Sequence, residues 1–317
     1  MSGATGGGGP SAGTGSEAPV TSPEEAIGTI DGRYGRHPRH RALHAKGSLY
    51  SGTFTAAPAA SDLTRAIHMQ GAPVTATVRF SNGGGDPGVP DYAPDVRGMA
   101  VSFHLPDGSR TDISAQTAPR FPFSRVDPFI ELVRVSKPGP AAGLKLTWFL
   151  ARHPRTLAGL RENVAALRPP PSFAARSYFA FHAFRWLDAG GAERYVRYAW
   201  RPTVAISDLG RGEAKARGRD YLSEELRERL ARGPVRFDLE VQIAEDGDDP
   251  DDPSAQWPAE RRRMVVGALE ITEPTEEGDD LVFDPTRVTD GIEPSDDPVL
   301  RFRPRAYAIS HQRRAGG

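Results

Sequence analysis

VRFDLEVQI, residues Val235–Ile243, is the stretch on which the fold class turns. Val235, Phe237, Leu239, Val241 and Ile243 alternate with charged or amide side chains, the period of a strand with one buried face. VTATVRFS at Val74–Ser81 repeats that pattern. Met99–Leu105 and Thr111–Ser114 flank PDGS, a good hairpin turn. Ser177–Leu187 and Tyr195–Trp200 make a second hairpin around DAGG, and Met264–Thr272 reads as a last strand. Helical spacing marks Asp127–Ser136 and then Leu144–Leu167, through Leu146, Phe149, Leu150, Leu157 and Leu160, before RPPP at Arg168–Pro171 stops it. Leu222–Arg232 is a short charged helix. Strands joined by hairpins, with helices inserted midway, predict an α+β chain built on an antiparallel β-barrel.

Composition narrows the function. With 317 residues, 38% hydrophobic and 26% charged, the chain suits a soluble globular protein with a sizeable core. Its net charge of −1 supplies no bulk attraction to nucleic acid or membrane. The absence of cysteine excludes thiolate catalysis, disulfides and iron–sulfur clusters. Residues 1–25 begin Gly/Ser-rich, without the charged start and apolar stretch of a secretory signal, and read as a flexible tail. Residues 26–317 read as one domain, and a cytoplasmic location is expected. Gly83–Gly85 reads as a turn, and the acidic loop Glu245–Pro253 as a solvated excursion without the ligand spacing of a calcium site.

Two segments carry chemistry. Gly32–Lys46, GRYGRHPRHRALHAK, is densely basic and holds three of the eight histidines. Either Arg41 holds an anion while His44 reaches a reactive centre, or the segment is a basic surface loop. LRFRPRAYAISHQRR, Leu300–Arg314, read as a helix, sets Arg303, Tyr307, His311 and Arg314 on one face, with Pro304 in the opening turn. That face is either solvated or built so that Tyr307 points at a metal while Arg303 neutralises its phenolate. Ionising an ordinary tyrosine at neutral pH takes about three pKa units, or about 4 kcal/mol, which an arginine and a ferric ion can supply together. Tyrosine is the axial haem ligand of catalases. Of the remaining histidines, His104 and His182 fall in strands, while His37, His40, His68 and His153 read as surface residues.

Seven segments in order carry one resemblance: HAKG (His44–Gly47), VRFS (Val78–Ser81), RGMAVSFH (Arg97–His104), DISAQTAPRF (Asp112–Phe121), HAFRWLDAGG (His182–Gly191), GIEPSDDPVL (Gly291–Leu300) and RPRAY (Arg303–Tyr307). The chain resembles haem catalases, specifically their short catalase-related peroxidase relatives. The resemblance implies a catalase-like β-barrel wrapping haem b, with a C-terminal haem-ligand helix. The interlocking arm and extra C-terminal domain of full-length catalases are expected to be missing. It makes His44 the distal histidine, which moves a proton between the two oxygens of peroxide and so generates a ferryl haem, and Ser81 the partner of its other nitrogen. Gln116 falls where the family places asparagine, one methylene shorter. Arg41, Arg79 and Arg314 match propionate-binding arginines, and Phe121 and Phe129 match pocket aromatics. Tyr307 matches the iron ligand and Arg303 its partner, with His311 beside them as a propionate or outer contact.

Three functions follow. The first is a haem peroxidase acting on hydrogen peroxide or organic hydroperoxides with a small-molecule electron donor and weak catalase activity. The second is an enzyme that rearranges fatty-acid hydroperoxides, distinguished by its products without a reductant. The third is a non-enzymatic haem carrier, against which the retention of both His44 and the Tyr307/Arg303 pair argues. No nucleic-acid or membrane partner is expected, and a homo-oligomer other than the interlocked catalase tetramer is left open.

Overall fold

The structure is a computed structural model that describes residues 20–316 except 279; the side chains of Arg155, Leu157, Ala158 and Glu162 also lie outside the described set. Residues 1–19 of the expected tail lie outside it too. Ser22 caps α1 (Pro23–Tyr34), its hydroxyl accepting the Glu25 N–H at 3.1 Å. Four strands follow, β1 (Gly47–Ala56), β2 (Val74–Asn82), β3 (Arg97–His104) and β4 (Arg110–Gln116). Three helices intervene, α2 (Val126–Val135), α3 (Ala142–Arg152) and α4 (Pro154–Asn163). The hairpin β5 (Tyr178–Leu187) and β6 (Glu193–Pro202) leads through α5 (Arg211–Ala216) and α6 (Tyr221–Leu230) to β7 (Val235–Ile243) and β8 (Arg263–Thr275). A short β9 (Ile292–Pro294) precedes α7 (Pro298–Ala315).

The strands pair antiparallel in the order β4-β3-β2-β1-β8-β7-β6-β5, and Gln116 on β4 meets Phe179 on β5 to close an eight-stranded barrel. β9 lies outside the ring, against β5. Phe54, Phe80, Phe103, Trp200 and Phe237 are fully buried in the core of this barrel, which leaves it packed solid. A second apolar cluster joins α1, α2 and α7 through Ile27, Ile30, Ile130, Val133, Val299 and Ala306.

The expected α+β barrel is borne out, with informative differences in detail. β1 escapes sequence reading because GSLYSGTFTA is rich in small polar residues and its register shifts between Ser51 and Gly52. Gly28 and Gly32 likewise mask α1 by lowering helix propensity. The long helical segment is broken after His153, where Pro154 starts a new helix. Pro304 is not in an opening turn. Asp297 caps α7 and Pro298 takes the first position, which leaves Pro304 inside the helix, unable to donate to the Leu300 carbonyl. His68 is not a surface residue either: it is 1% exposed, with its ring 5.2 Å from that of Phe103. Burial pushes its pKa down to about 4, so the core holds it neutral.

Candidate active site

A cavity of about 410 Å³ lies between the outer faces of β2–β5 and the cluster of α1, α2 and α7. Strand alternation builds the barrel wall of it. Val78 and Phe80 face the barrel core while Arg79 and Ser81 face the cavity, and Ile113 faces the core while Ser114 and Gln116 face out. Register aligns Gly47, Ser81, Gly98, Gln116 and Phe179 in one row across five strands. The His44 ring lies over the middle of that row. A Cβ on Gly98 would come within 2.7 Å of both His44 Nδ1 and Ser81 Oγ, so the missing side chain is what makes room for the imidazole.

His44 is held from several sides. Its backbone sits at φ 54°, a left-handed conformation uncommon for a side-chain-bearing residue and concentrated at functional sites. Its N–H donates to the Gly83 carbonyl at 3.0 Å and the Ala45 N–H to Gly84, so the glycine turn clamps the loop. Nδ1 lies 3.0 Å from Ser81 Oγ. Burial, reinforced by the charges of Arg79, Arg303 and Arg41, drives the imidazole pKa down to about 3, so it is neutral at physiological pH. Arg79, 5% exposed, donates to the His44 carbonyl at 2.9 Å. Gly47 is required beside it, since a Cβ there would stand 2.6 Å from the guanidinium.

The other arginines gather along one side of the same cavity. Arg41 donates to the Leu281 carbonyl and Arg314 to the Asp280 carbonyl, each at 2.9 Å. α7 brings Arg303, Tyr307, His311 and Arg314 to the cavity together, as its face predicts. The Arg303 guanidinium carbon stands 5.9 Å from the Tyr307 ring centroid and 5.4 Å from that of Phe181. Phe121 stacks on Phe181 at 5.2 Å and touches Phe129 at 5.3 Å. All eleven candidate residues, His44, Ser81, Gln116, Arg41, Arg79, Phe121, Phe129, Arg303, Tyr307, His311 and Arg314, therefore line one cavity.

Sequence reasoning missed three contributors. Phe181 is hidden in a buried strand, although it adjoins the HAFRW segment. Asp95 lines the cavity with its carboxyl pKa raised by burial, and it accepts the Gly84 N–H at 2.9 Å. Asp297 ties α7 to the barrel. One oxygen accepts from the Val299 and Leu300 N–H groups, and the other pairs with Nδ1 of buried His182. Burial first and the Arg303 charge second lower the His182 pKa to about 4. A histidine with no role assigned from sequence is thus the contact that anchors the tyrosine helix. Among the described residues, no group of His, Asp or Glu could hold a bare metal ion.

Residues 35–317 match the catalase family model. The chain belongs to the catalase family. It is 49% identical over 298 residues to a catalase-related peroxidase of Mycolicibacterium paratuberculosis, covering 93% of this chain and 95% of that one. A catalase-related peroxidase of Synechococcus elongatus is 31% identical, with 93% and 89% covered. Catalase-2 of Bacillus subtilis is 28% identical over 87% of this chain but only 44% of its own length. In structure, a fungal catalase superposes with a TM-score of 0.78 at 23% identity over 88% of this chain and 60% of that one. A bacterial catalase gives a TM-score of 0.78 over 96% and 62%. The chain is therefore a catalase-family oxidoreductase.

The residues present fit haem, the cofactor of catalases. A macrocycle needs apolar walls, which Ile30, Val133, Phe129 and Phe302 supply, and its two carboxylates need cations, which Arg41, Arg79 and Arg314 supply. On the α7 wall the phenol of Tyr307 and the imidazole of His311 are both donors that haem iron accepts, and Arg303 stands beside the phenol.

Proposed function

We propose that this protein is a haem b-dependent peroxidase that reduces hydrogen peroxide or organic hydroperoxides at the expense of an external small-molecule donor, with weak catalase activity. The observation that carries the reading is a neutral, rigidly held His44 sharing one cavity with Tyr307 and Arg303. Bound haem would supply the redox chemistry, carrying two electrons from the external donor to peroxide.

The protein's own residues would do the rest. Tyr307 would hold the iron through its phenolic oxygen, with the Arg303 guanidinium beside its ring. Arg41, Arg79, Arg314 and His311 would hold the propionates. With Nδ1–H donated to Ser81 Oγ, His44 presents the lone pair of Nε2 as a general base. That nitrogen takes the peroxide proton and gives it back to the departing oxygen, so that water or an alcohol leaves rather than hydroxide or alkoxide. A depressed imidazole pKa keeps the base free of protons without requiring a high pH. Gln116, next to Gly98 in the same row, would orient the peroxide with its amide.

Reconstitution with haem, an absorption spectrum and a donor-dependent peroxide assay test the reading together. A high-spin, catalase-like spectrum and peroxide-driven oxidation of a phenolic donor are expected. A haem-loaded protein that consumes peroxide without oxidising any donor, or rearranges a lipid hydroperoxide with no reductant, would overturn it.

A further inference from the structure

A net charge of −1 conceals a local asymmetry. Residues 132–161 contain Arg134, Lys137, Lys145, Arg152, Arg155 and Arg161, and no aspartate or glutamate at all. In the middle of this run stands α3, whose buried side chain is that of Phe149. Leu144 is 75% exposed, Trp148 56% and Leu146 37%, whereas the other three tryptophans, Trp186, Trp200 and Trp257, are buried. Leu144, Trp148 and Arg152 follow at four-residue steps along one face, and the Arg152 guanidinium lies 4.3 Å from the Trp148 ring centroid. Lys145 is exposed beside them.

A helix of 11 residues is marginal in water by itself, and one buried phenylalanine is a slight anchor. Its apolar side chains call for a cover. A second copy of the chain fits poorly, because a two-fold interface sets the same patch against itself and would oppose like charges from Lys145 and Arg152. An anionic lipid surface takes both features at once. Indole and leucine side chains enter the boundary between headgroups and acyl chains, while lysine and arginine stems lie along it and place their charges at the phosphates.

We propose that α3 is an interfacial helix that docks the protein on an anionic lipid membrane. It lies on the surface and does not cross it: among the described residues no helix is long and apolar enough to span. The expectation of no membrane partner came from bulk charge, which averages this patch away. α2 packs against α3 and presents Val126, Phe129, Ile130 and Val133 to the cavity. On the peroxidase reading, docking would leave the cavity one helix away from hydroperoxides carried in the lipid.

The test is co-sedimentation of the full-length, haem-loaded protein with vesicles of pure phosphatidylglycerol or pure phosphatidylcholine, read alongside tryptophan emission. Binding to phosphatidylglycerol at least about tenfold tighter than to phosphatidylcholine is expected, with a blue shift from Trp148, the exposed indole. Leu144→Ser with Trp148→Ser should weaken binding by about tenfold or more, and Lys145→Glu with Arg152→Glu should abolish the preference for the anionic lipid. Circular dichroism checks that each variant is folded. No binding, equal binding to both lipids, or a protein dimer that Leu144→Ser with Trp148→Ser dissociates would each overturn the proposal. Because vesicle binding is read without turnover, its failure is separate from any failure of the peroxidase reading.

Discussion

Nδ1 of His44 lies 3.0 Å from Oγ of Ser81, over a glycine whose replacement by any larger residue would push the two apart. On the peroxidase reading, that hydrogen bond would tie up one ring nitrogen and leave the other for peroxide. His44→Ala should therefore retain haem but slow its oxidation by peroxide by about 10²–10⁴-fold in stopped-flow mixing. Ser81→Ala should act through the same ring and cost less. With a pKa of about 3, the wild-type imidazole stays neutral, so this rate should be level from about pH 5 to about pH 8. An unaltered rate in His44→Ala would show that another group moves the proton.

Tyr307→Phe removes the phenol from the α7 wall and should lose haem or bind it far more weakly, as followed by haem titration and the absorption spectrum. Arg303→Ala should be milder, leaving haem bound but its ferric iron harder to reduce, because a positive charge beside the ligand is gone. Full occupancy with an unchanged spectrum in Tyr307→Phe would rule Tyr307 out as ligand.

On the peroxidase reading, Gln116 would set the balance between two fates of the oxidised enzyme. Evolving oxygen requires a second hydrogen peroxide held in register by a distal amide, and the extra methylene of glutamine displaces that amide. A tenfold loss corresponds to about 1.4 kcal/mol, within reach of a misplacement of about 1 Å. Donor oxidation should thus exceed oxygen evolution, and Gln116→Asn should shift the ratio toward oxygen by about tenfold. An oxygen electrode and a donor assay on the same preparation measure both.

Asp297 joins the start of α7 to His182 on β5. Asp297→Ala would orphan two helix N–H groups and a buried imidazole, at a cost of about 3 kcal/mol or more. Since α7 also carries Tyr307, haem affinity should fall together with the melting temperature. Asp297→Asn, which keeps an acceptor for the helix, should be milder on both counts.

His68 makes the barrel core sensitive to acid. Its folded pKa of about 4 lies below the ordinary value of 6.5, so above about pH 6.5 it contributes no pH dependence. As pH falls from about 6.5 to about 4, the unfolded chain takes up a proton that the folded core refuses. Stability then drops by up to about 1.4 kcal/mol per pH unit and about 3 kcal/mol in all. Urea midpoints between pH 7 and pH 4 should fall less steeply in His68→Leu than in wild type, with buried His44 and His182 contributing equally to both, and equal slopes would show that the His68 ring is already solvated.

The sequence carried seven of the eight barrel strands, all but β1, because alternation with period two is a local property. It also determined the α7 face, because residues at helical spacing share a side whatever surrounds them. Arg303, Tyr307, His311 and Arg314 were legible as a group for that reason, and HAKG and VRFS were legible through family likeness. Tertiary packing was needed to bring the Gly47–Ser81–Gly98–Gln116 row, and with it four strands, under His44, since register depends on pairing between segments far apart in the chain. It alone placed His68 in the core, because a lone histidine in the single short turn Ile67–Met69 carries no periodic signal of burial. It alone moved Pro304 into the body of α7, because the cap that starts the helix is an aspartate fixed by a histidine on another strand. The exposure of Leu144 and Trp148 was equally out of reach: apolar spacing announces a face to be covered, and only packing shows that nothing in the described fold covers it.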